Sequence, residues 1–273
     1  MSDAPSSSET ASAPVLVDVT GGVATVTLNR ATAMNSLDVA TKVALRDAVI
    51  QAGGDETVRC VVLTGSGRAF CVGQDLKEHI EILNSSSSDE LFRTVPEHYN
   101  PTVKALATMN KPVIAAVNGV AAGAGASLAF ACDFRILSES AGFNLAFTGV
   151  ALSCDTGASW TLPRLVGRAK ALELLYFPRT IPAQEALDLG LATKVVDSDS
   201  LEHEVATLAH QLATGPTVAF GAVRRSVEYS AGHDFESSLD FEGQMMAQTG
   251  ATKDHAQAVA AFVKKEKPVF EGR

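Results

Sequence analysis

Two stretches rich in small residues, each directly after a short apolar strand, are the parts of this chain best suited to chemistry. The first is LTGSGRAFCVGQDLKE at 63–78, and the second is NKPVIAAVNGVAAGAGASLAFACD at 110–133. Small residues let a ligand approach the backbone closely, and the start of a helix presents free N–H groups to an anion. Two such turns could aim two N–H donors at one oxygen, which is an oxyanion hole. On spacing alone, ordinary turn formation is the better explanation of the same residues.

Other patterns that could carry chemistry are incomplete. The run GASLA at 125–129 resembles a serine nucleophile turn but ends in alanine where that turn has glycine. The glycines at 123–125 would begin a dinucleotide fingerprint, but Leu128 stands where its third glycine belongs. DTGAS at 155–159 matches the tag of aspartic proteases, which need two such carboxylates, and the chain has one copy. The histidines and cysteines lack metal-ligand spacing, so no metal site is predicted.

Composition narrows the possible partners. The 273 residues include 22 Lys and Arg against 31 Asp and Glu, a net charge of −9, and 46% are hydrophobic. This hydrophobic content indicates a folded globular protein. The acidic charge argues against binding nucleic acid or an anionic membrane surface. The four cysteines lie in apolar stretches, which predicts reduced, buried thiols and a cytoplasmic location.

The elements that must position the two turns follow from periodicity. Alternation at 15–19 and 23–28 around two glycines predicts a hairpin, and 58–63 and 113–117 predict buried strands. Strands that alternate with helices indicate an α/β core. Further helices are predicted at 38–52 with Asp38 as N-cap, and at 201–213, 217–230, 235–249 and 252–266.

The chain is therefore divided into three parts. Residues 1–14, rich in Ser, Ala and Thr, are predicted to be a disordered leader, 15–210 the α/β core and 211–273 a helical region. The helical region has few large apolar side chains per helix. We therefore expect it to pack on the core, on a neighbouring subunit, or on both.

The two turns are similar to the paired signatures of the crotonase (enoyl-CoA hydratase/isomerase) superfamily. Four further segments match that family's spacing: LNRATAMNSL (28–37), LPRLVGRAKALELL (162–175), ALDLGLAT (186–193) and FVKKEKPVF (262–270). The resemblance covers nearly the whole chain after residue 14. It implies a spiral of ββα units with a C-terminal helical region that builds trimers, often paired into hexamers.

The same resemblance implies the site. The backbone N–H groups of Val72 and Ala124 would hold the thioester oxygen of an acyl-CoA substrate. Coenzyme A would arrive as part of that substrate, and no cofactor would be bound permanently. The implied substrate and coenzyme A contacts are Arg30, Ala33, Ala69, Gly73, Gln74, Asp75, Leu76, Lys77, Phe147 and Lys265.

The sequence departs from the family's hydratases at both of their catalytic glutamates. Ser127 and Phe147 stand at those two positions, and neither can act as a carboxylate. A third family position does carry an acid, Asp155. Isomerases of the superfamily, including those that resemble the phenylacetate-pathway isomerase, use an aspartate there, and the segment 143–167 is most similar to that group.

Asp155 also has a purely structural interpretation, because an aspartate just before a helix is usually an N-cap. A cap would lower its pKa through the helix dipole, whereas burial near Phe147, Cys154 and Trp160 would raise it. The sequence leaves this balance open. The predicted function is an enoyl-CoA isomerase that transfers a proton through a thioester enolate. The alternatives are a 2-enoyl-CoA hydratase and a crotonase homologue that binds acyl-CoA without catalysis.

Overall fold

The structure, a computed structural model, describes residues 13–85 and 91–273. Most of the predicted leader, residues 1–12, lies outside the described residues. The strands are β1 (Val15–Thr20), β2 (Val23–Leu28), β3 (Cys60–Gly65), β4 (Ala69–Cys71), β5 (Val113–Val117), β6 (Val120–Ala122), β7 (Phe134–Ser138), β8 (Gly142–Asn144), β9 (Thr180–Pro182) and β10 (Lys194–Val196).

The helices of the described residues are α1 (Val39–Gly54), α2 (Leu76–Ser85), α3 (Asn100–Thr108), α4 (Ala124–Phe130), α5 (Ala158–Val166), α6 (Arg168–Tyr176), α7 (Ala183–Asp188), α8 (Leu201–Ala213), α9 (Thr217–Ser230), α10 (Phe235–Gly250) and α11 (Lys253–Lys264). The five with predicted bounds, α1 and α8 to α11, begin and end close to the predicted residues. A single π-helical turn, Val95–Tyr99, precedes α3. Asp38 caps α1 as predicted, since its carboxylate accepts a hydrogen bond of 2.8 Å from the Thr41 amide.

The strands form two sheets, and from β3 to β8 the chain alternates between them. The six-stranded sheet has the order β1-β2-β3-β5-β7-β10, and the four-stranded sheet has the order β4-β6-β8-β9. A long strand in the first sheet is followed each time by a short strand in the second sheet, as in β3–β4, β5–β6 and β7–β8. The long strands pair in parallel with each other, and so do the short ones. This stepwise repeat, with a helix after each strand pair, confirms the predicted α/β spiral of ββα units.

The first two strands form the predicted hairpin. β1 and β2 are antiparallel, and Thr20 pairs with Val23 across a two-residue turn. That turn consists of Gly21 and Gly22, both with positive φ. A tight hairpin requires this conformation, and glycine adopts it without a steric penalty.

Helix α8 packs on the outer face of the six-stranded sheet. Leu201, Val205, Ala209 and Leu212 of this helix form an apolar cluster with sheet residues that include Ile114. The predicted boundary at residue 210 falls inside α8, whose apolar face belongs to the core. The division of the chain into a core and a helical region stays a prediction.

The C-terminal helices α9 to α11 leave large apolar side chains in solvent. Phe235, Met246, Phe262 and Val263 are each more than 70% exposed. The end of the chain is nevertheless anchored, because the Asp254 carboxylate accepts hydrogen bonds from the amides of residues 271 and 272. Assembly into trimers or hexamers stays a prediction.

The cysteines behave as buried apolar residues. Cys60, Cys71 and Cys132 are buried, Cys154 is half-buried, and all four are free thiols. Burial raises the pKa of each of the three buried thiols to about 12, so they stay protonated at neutral pH. Within residues 13–85 and 91–273, none of the helices is long and apolar enough to cross a membrane.

Candidate active site

A cavity of about 730 Å³ opens where the turns after β4 and β6 meet. Its apolar wall comes from α2, from the segment that follows the undescribed residues 86–90, and from residues 146–152. Its polar groups come from five side chains. The lining residues are Ser36, Val72, Gly73, Gln74, Leu76, His79, Leu83, Leu91, Phe92, Tyr99, Gly123, Ala124, Ala146, Phe147, Val150, Leu152 and Asp155.

Glycines bring the two turns into contact. A Cβ added to Gly73, whose φ is +83°, would lie 2.8 Å from the Ala122 carbonyl oxygen and 3.3 Å from the Ala124 nitrogen. A Cβ added to Gly125 would overlap the Cys71 carbonyl. Because β4 and β6 are parallel neighbours, their C-terminal ends lie at the same edge of the sheet. The backbones of Val72 and Ala124 therefore line one cavity.

The two amides differ in their availability. Ala124 is the first residue of α4, so its N–H has no acceptor within the helix, and no other backbone carbonyl among the described residues accepts from it. The Val72 N–H makes a long hydrogen bond of 3.3 Å to the Met34 carbonyl. A developing oxyanion is a stronger acceptor than a neutral carbonyl, so it can compete for this donor.

Asn35 fixes the loop that supports Val72. Its side-chain oxygen accepts from the Arg30 amide at 2.9 Å, and its side-chain nitrogen donates to the Ala69 carbonyl at 2.8 Å. Asn35 and Met34 both have positive φ, which is uncommon for residues with a Cβ. Strain of this kind persists only where the surrounding contacts impose it, and here it lies directly behind one of the two amides.

Asp155 lines the same cavity and does not cap a helix. The N-cap of α5 is Gly157, and no side chain caps that helix. The Asp155 carboxylate instead accepts a hydrogen bond of 2.8 Å from the Thr156 hydroxyl. Burial raises the pKa of Asp155 above its usual value, and the bond from Thr156 offsets only part of this effect. The N-cap interpretation was therefore wrong, and desolvation decides the direction of the shift.

Ser127 and Phe147, the positions at which the resemblance predicts the hydratase glutamates, supply no carboxylate. Ser127 is fully buried within α4, and its hydroxyl donates to the Gly123 carbonyl at 3.1 Å. Phe147 is buried and contributes its ring to the cavity wall. Among the described residues that line the cavity, Asp155 is the only carboxylate.

Comparison with known proteins identifies the family. A family model described as "Enoyl-CoA hydratase/isomerase" matches residues 18–273. The chain belongs to the enoyl-CoA hydratase/isomerase family. This confirms the predicted crotonase-superfamily membership. Relatives are named as isomerases, hydratases and dehalogenases of coenzyme A thioesters.

Similar proteins of this family catalyse different reactions. The chain is 38% identical to the 1,2-epoxyphenylacetyl-CoA isomerase of Escherichia coli, over 95% of this chain and 98% of that protein. It is 32% identical to the short-chain-enoyl-CoA hydratase of Clostridium acetobutylicum, over 93% and 95%. The crystal structure of an enoyl-CoA hydratase from Bacillus anthracis superposes with a TM-score of 0.89 at 34% identity, covering 95% of this chain and 100% of that chain.

In this enoyl-CoA hydratase/isomerase family member, the predicted site residues fall into two groups. Seven of them line the cavity together: Val72, Gly73, Gln74, Leu76, Ala124, Phe147 and Asp155. The other six are not among the cavity-lining residues: Arg30, Ala33, Ala69, Asp75, Lys77 and Lys265. Lys77 is exposed at the start of α2, and Lys265 is exposed at the end of α11. Their contact with coenzyme A stays a prediction.

Arg30 and Asp75 are engaged with each other. One Arg30 nitrogen donates to the Asp75 carboxylate at 3.0 Å and to the Ser36 carbonyl at 2.6 Å, and the other pairs with Asp38 at 3.0 Å. Burial acts to raise the pKa of Asp75, but hydrogen bonds from Arg30, Ser36 and backbone amides outweigh it and lower that pKa. This partly buried ion pair ties the loop at 30–38 to the turn that carries Val72.

Several cavity residues were not predicted from the sequence. Tyr99, His79 and Phe92 reach the cavity from α2 and from the segment before α3. The ring of His79 meets that of Phe92 edge-on, with centroids 6.5 Å apart. No motif marks these positions, because their role depends on how α2 and α3 close over the sheet edge.

Proposed function

We propose that this family member is an enoyl-CoA isomerase that moves a double bond of an acyl-CoA thioester by proton transfer. The observation that carries the proposal is the carboxylate of Asp155, the only one among the described residues that line the cavity, together with the Val72 and Ala124 backbones in the same cavity. Moving a double bond between neighbouring carbons takes one base on one face of the substrate. Hydration takes groups that position and activate water as well, which the family's hydratases supply with two glutamates.

In the proposed reaction, the thioester oxygen of a 3-enoyl-CoA lies between the Val72 and Ala124 N–H groups. The Asp155 carboxylate removes a proton from C2, and the electron pair of the broken C–H bond passes into a thioester dienolate. The two N–H groups stabilise the charge that develops on the oxygen. Protonated Asp155 then returns the proton at C4, which leaves the double bond between C2 and C3 and regenerates the carboxylate.

The environment of Asp155 supports this role. A general base is most effective when its pKa approaches the working pH, and burial moves the pKa of Asp155 in that direction. The buried Ser127 and the Phe147 ring argue against the hydratase alternative, since neither supplies a second carboxylate. The relative of 38% identity is also named an isomerase, but its named substrate is an epoxyphenylacetyl-CoA.

The cavity walls indicate which kind of acyl group the substrate carries. Leucine and phenylalanine side chains, among them Leu83, Leu91 and Phe92, suit a hydrocarbon acyl group. Coenzyme A enters as part of the substrate, and the proposed reaction uses no resident cofactor. The proposed setting is the cytoplasm. The proposed assembly is a trimer or a hexamer, since α10 and α11 carry exposed phenylalanines that a neighbouring subunit would cover.

Incubation with a panel of 3-enoyl-CoA and 2-enoyl-CoA thioesters tests the function. Isomerisation of a 3-enoyl-CoA produces absorbance of the conjugated thioester, whereas hydration of a 2-enoyl-CoA removes it. We expect Asp155→Asn to lower isomerase turnover by about 10²–10⁴-fold, the contribution of a positioned general base. Glu139→Gln, which alters an exposed acid on the turn after β7, is the matched control. Hydration without isomerisation would replace the proposal with the hydratase alternative, and acyl-CoA binding without turnover would favour the non-catalytic one.

A further inference from the structure

A chain of buried and half-buried polar groups leads from Tyr99 in the cavity wall through Gln74 to Lys42 and Glu78. The Tyr99 hydroxyl donates to the Gln74 side-chain oxygen at 2.6 Å. The Lys42 ammonium donates to the same oxygen at 3.2 Å and to the Glu78 carboxylate at 3.1 Å. Tyr99 and Lys42 are each only 3% exposed, although both carry polar ends.

The chemistry of lysine fixes the direction of every hydrogen bond in this chain. An ammonium group can only donate, so the Gln74 atom that faces Lys42 must be the amide oxygen. That oxygen has no proton to give, so the Tyr99 hydroxyl must donate to it. The hydroxyl proton of Tyr99 is thus committed to Gln74. The lone pairs of the phenolic oxygen remain, and they can only accept.

Tyr99 and Asp155 line the same cavity from adjoining segments. The turn at 155–157 rests on the helix that follows Tyr99, because a Cβ added to Gly157 would lie 3.5 Å from the Val103 side chain. Burial first, and then the negative charge of Asp155, raise the pKa of Tyr99 well above its usual value. The phenol is therefore neutral at physiological pH.

We propose that Tyr99 is a positioning residue for proton transfer, whose phenolic oxygen accepts a hydrogen bond from the protonated carboxyl group of Asp155. That carboxyl group forms when Asp155 takes the substrate proton, and it disappears when the proton is returned. An acceptor at this point holds the acidic proton in place between the two transfers. The catalytic consequence rests on the proposed isomerase function, whereas the proposed hydrogen bond between Tyr99 and Asp155 does not.

The other ionisable groups around Asp155 stay constant in the test. His79 lines the cavity from α2, and Lys42 and Glu78 lie behind Gln74. Tyr99→Phe leaves all of them in place. It also leaves the Gln74 oxygen with Lys42 as its partner, so no buried polar atom loses its only hydrogen bond.

The direct measurement is the pKa of Asp155 itself. Protein labelled with ¹³C at the aspartate carboxyl carbons gives an Asp155 signal, identified by its absence from Asp155→Asn, and its chemical shift is followed against pH. We expect Tyr99→Phe to lower this pKa by about 0.7, or fivefold in the dissociation constant, because the protonated form loses one hydrogen bond. Tyr176→Phe, at an exposed tyrosine, should leave it unchanged. An unchanged pKa in Tyr99→Phe, or a raised one, would overturn the proposal.

The kinetic counterpart separates this proposal from the function. If the chain is an isomerase, Tyr99→Phe should lower kcat about fivefold, leave KM within twofold and move the acidic limb of the rate profile to lower pH. A shift of the Asp155 pKa in a protein without isomerase activity would retain the contact and reject the function. Isomerase activity with identical pH profiles in the wild type and Tyr99→Phe would support the function and reject the role of Tyr99.

A second variant covers the case in which Tyr99→Phe does not fold. The chain has three tyrosines. Replacing Tyr176 and Tyr229 with phenylalanine and supplying 3-fluorotyrosine therefore alters Tyr99 alone. Fluorine makes the phenolic oxygen a weaker acceptor without changing its position. We expect the Asp155 pKa to fall by less than about 0.7, because the hydrogen bond is weakened and not lost. No fall would contradict the proposal.

Discussion

Gly73→Ala tests whether close contact between the two turns creates the anion site. Gly73 lies between Val72 and Gln74 with φ of +83°, and an added Cβ would lie 2.8 Å from the Ala122 carbonyl oxygen. Real Cβ atoms essentially never approach within 3.0 Å of another heavy atom, and Ala122 is a backbone neighbour that cannot rotate away. The turns must therefore separate by a few tenths of an ångström. The move displaces Val72 relative to Ala124, the two proposed donors.

The size of the effect follows from the role of those donors. Loss of one oxyanion donor typically lowers kcat by about 10²–10³-fold. The positive φ adds a folding cost of roughly 1–2 kcal/mol for any residue with a Cβ. Gly21→Ala measures the folding cost of positive φ alone. Gly21 also has positive φ, of +59°, but an added Cβ would meet nothing within 4 Å.

The assay is turnover of whichever acyl-CoA the wild type accepts, together with thermal unfolding of both variants. We expect both variants to lose a similar few degrees in Tm, and only Gly73→Ala to lose turnover by about 10²-fold or more. If Gly73→Ala keeps kcat within threefold of the wild type, contact between the turns does not create the anion site. Equal losses of turnover in both variants would point instead to a general loss of stability.

Three further expectations follow from the same structure. Burial raises the pKa of Asp155, so the negative charge of Asp155 destabilises the folded state when the pH is above the ordinary pKa of an aspartate. Asp155→Asn should therefore raise Tm at pH 7 and have no such effect near pH 3. Equal Tm shifts at both pH values would contradict the burial argument. Arg30→Ala should lower Tm by several degrees, because its ion pairs with Asp75 and Asp38 are lost. Lys77→Ala should leave Tm unchanged. Titration calorimetry should show that Lys77→Ala weakens coenzyme A binding most at low salt. Phe262→Asp, at an 83% exposed side chain on α11, should shift a trimer or hexamer towards smaller species in light scattering, and an unchanged mass would exclude this surface from the subunit contact.

Local patterns carried much of the fold. Consecutive glycines at 21 and 22 specify a tight hairpin, since few other residues adopt positive φ twice in succession. The fully apolar run 113–117 could only be a strand buried on both faces, and it is β5 at the centre of the larger sheet. The glycines of the two turns marked where backbones come close. These features depend on backbone sterics and on periodicity over a few residues, which the sequence contains directly.

Features that join distant segments needed the tertiary structure. Asp155 precedes a helix, which favours an N-cap, yet Thr156 and Gly157 both turn with positive φ and the carboxylate enters the cavity wall instead. Arg30 was a candidate for coenzyme A phosphates, but it is paired with Asp75, 45 residues away. Both outcomes depend on which partner lies nearest once the chain has folded.

The Tyr99 network shows the same limit most clearly. The hydrogen bond from Tyr99 to Gln74 joins residues 25 apart in sequence, and the one from Lys42 to Gln74 joins residues 32 apart. No sequence pattern links these three residues, and nothing in the residues around each one predicts that they interact. Burial removes water as their alternative partner, and this leaves them to satisfy one another. Local sequence patterns predicted four of the strands and the glycine turns, and the family resemblance supplied the candidate acid. Desolvation and long-range packing, which exist only in the folded chain, decided which polar groups meet and in which direction the pKa of Asp155 shifts.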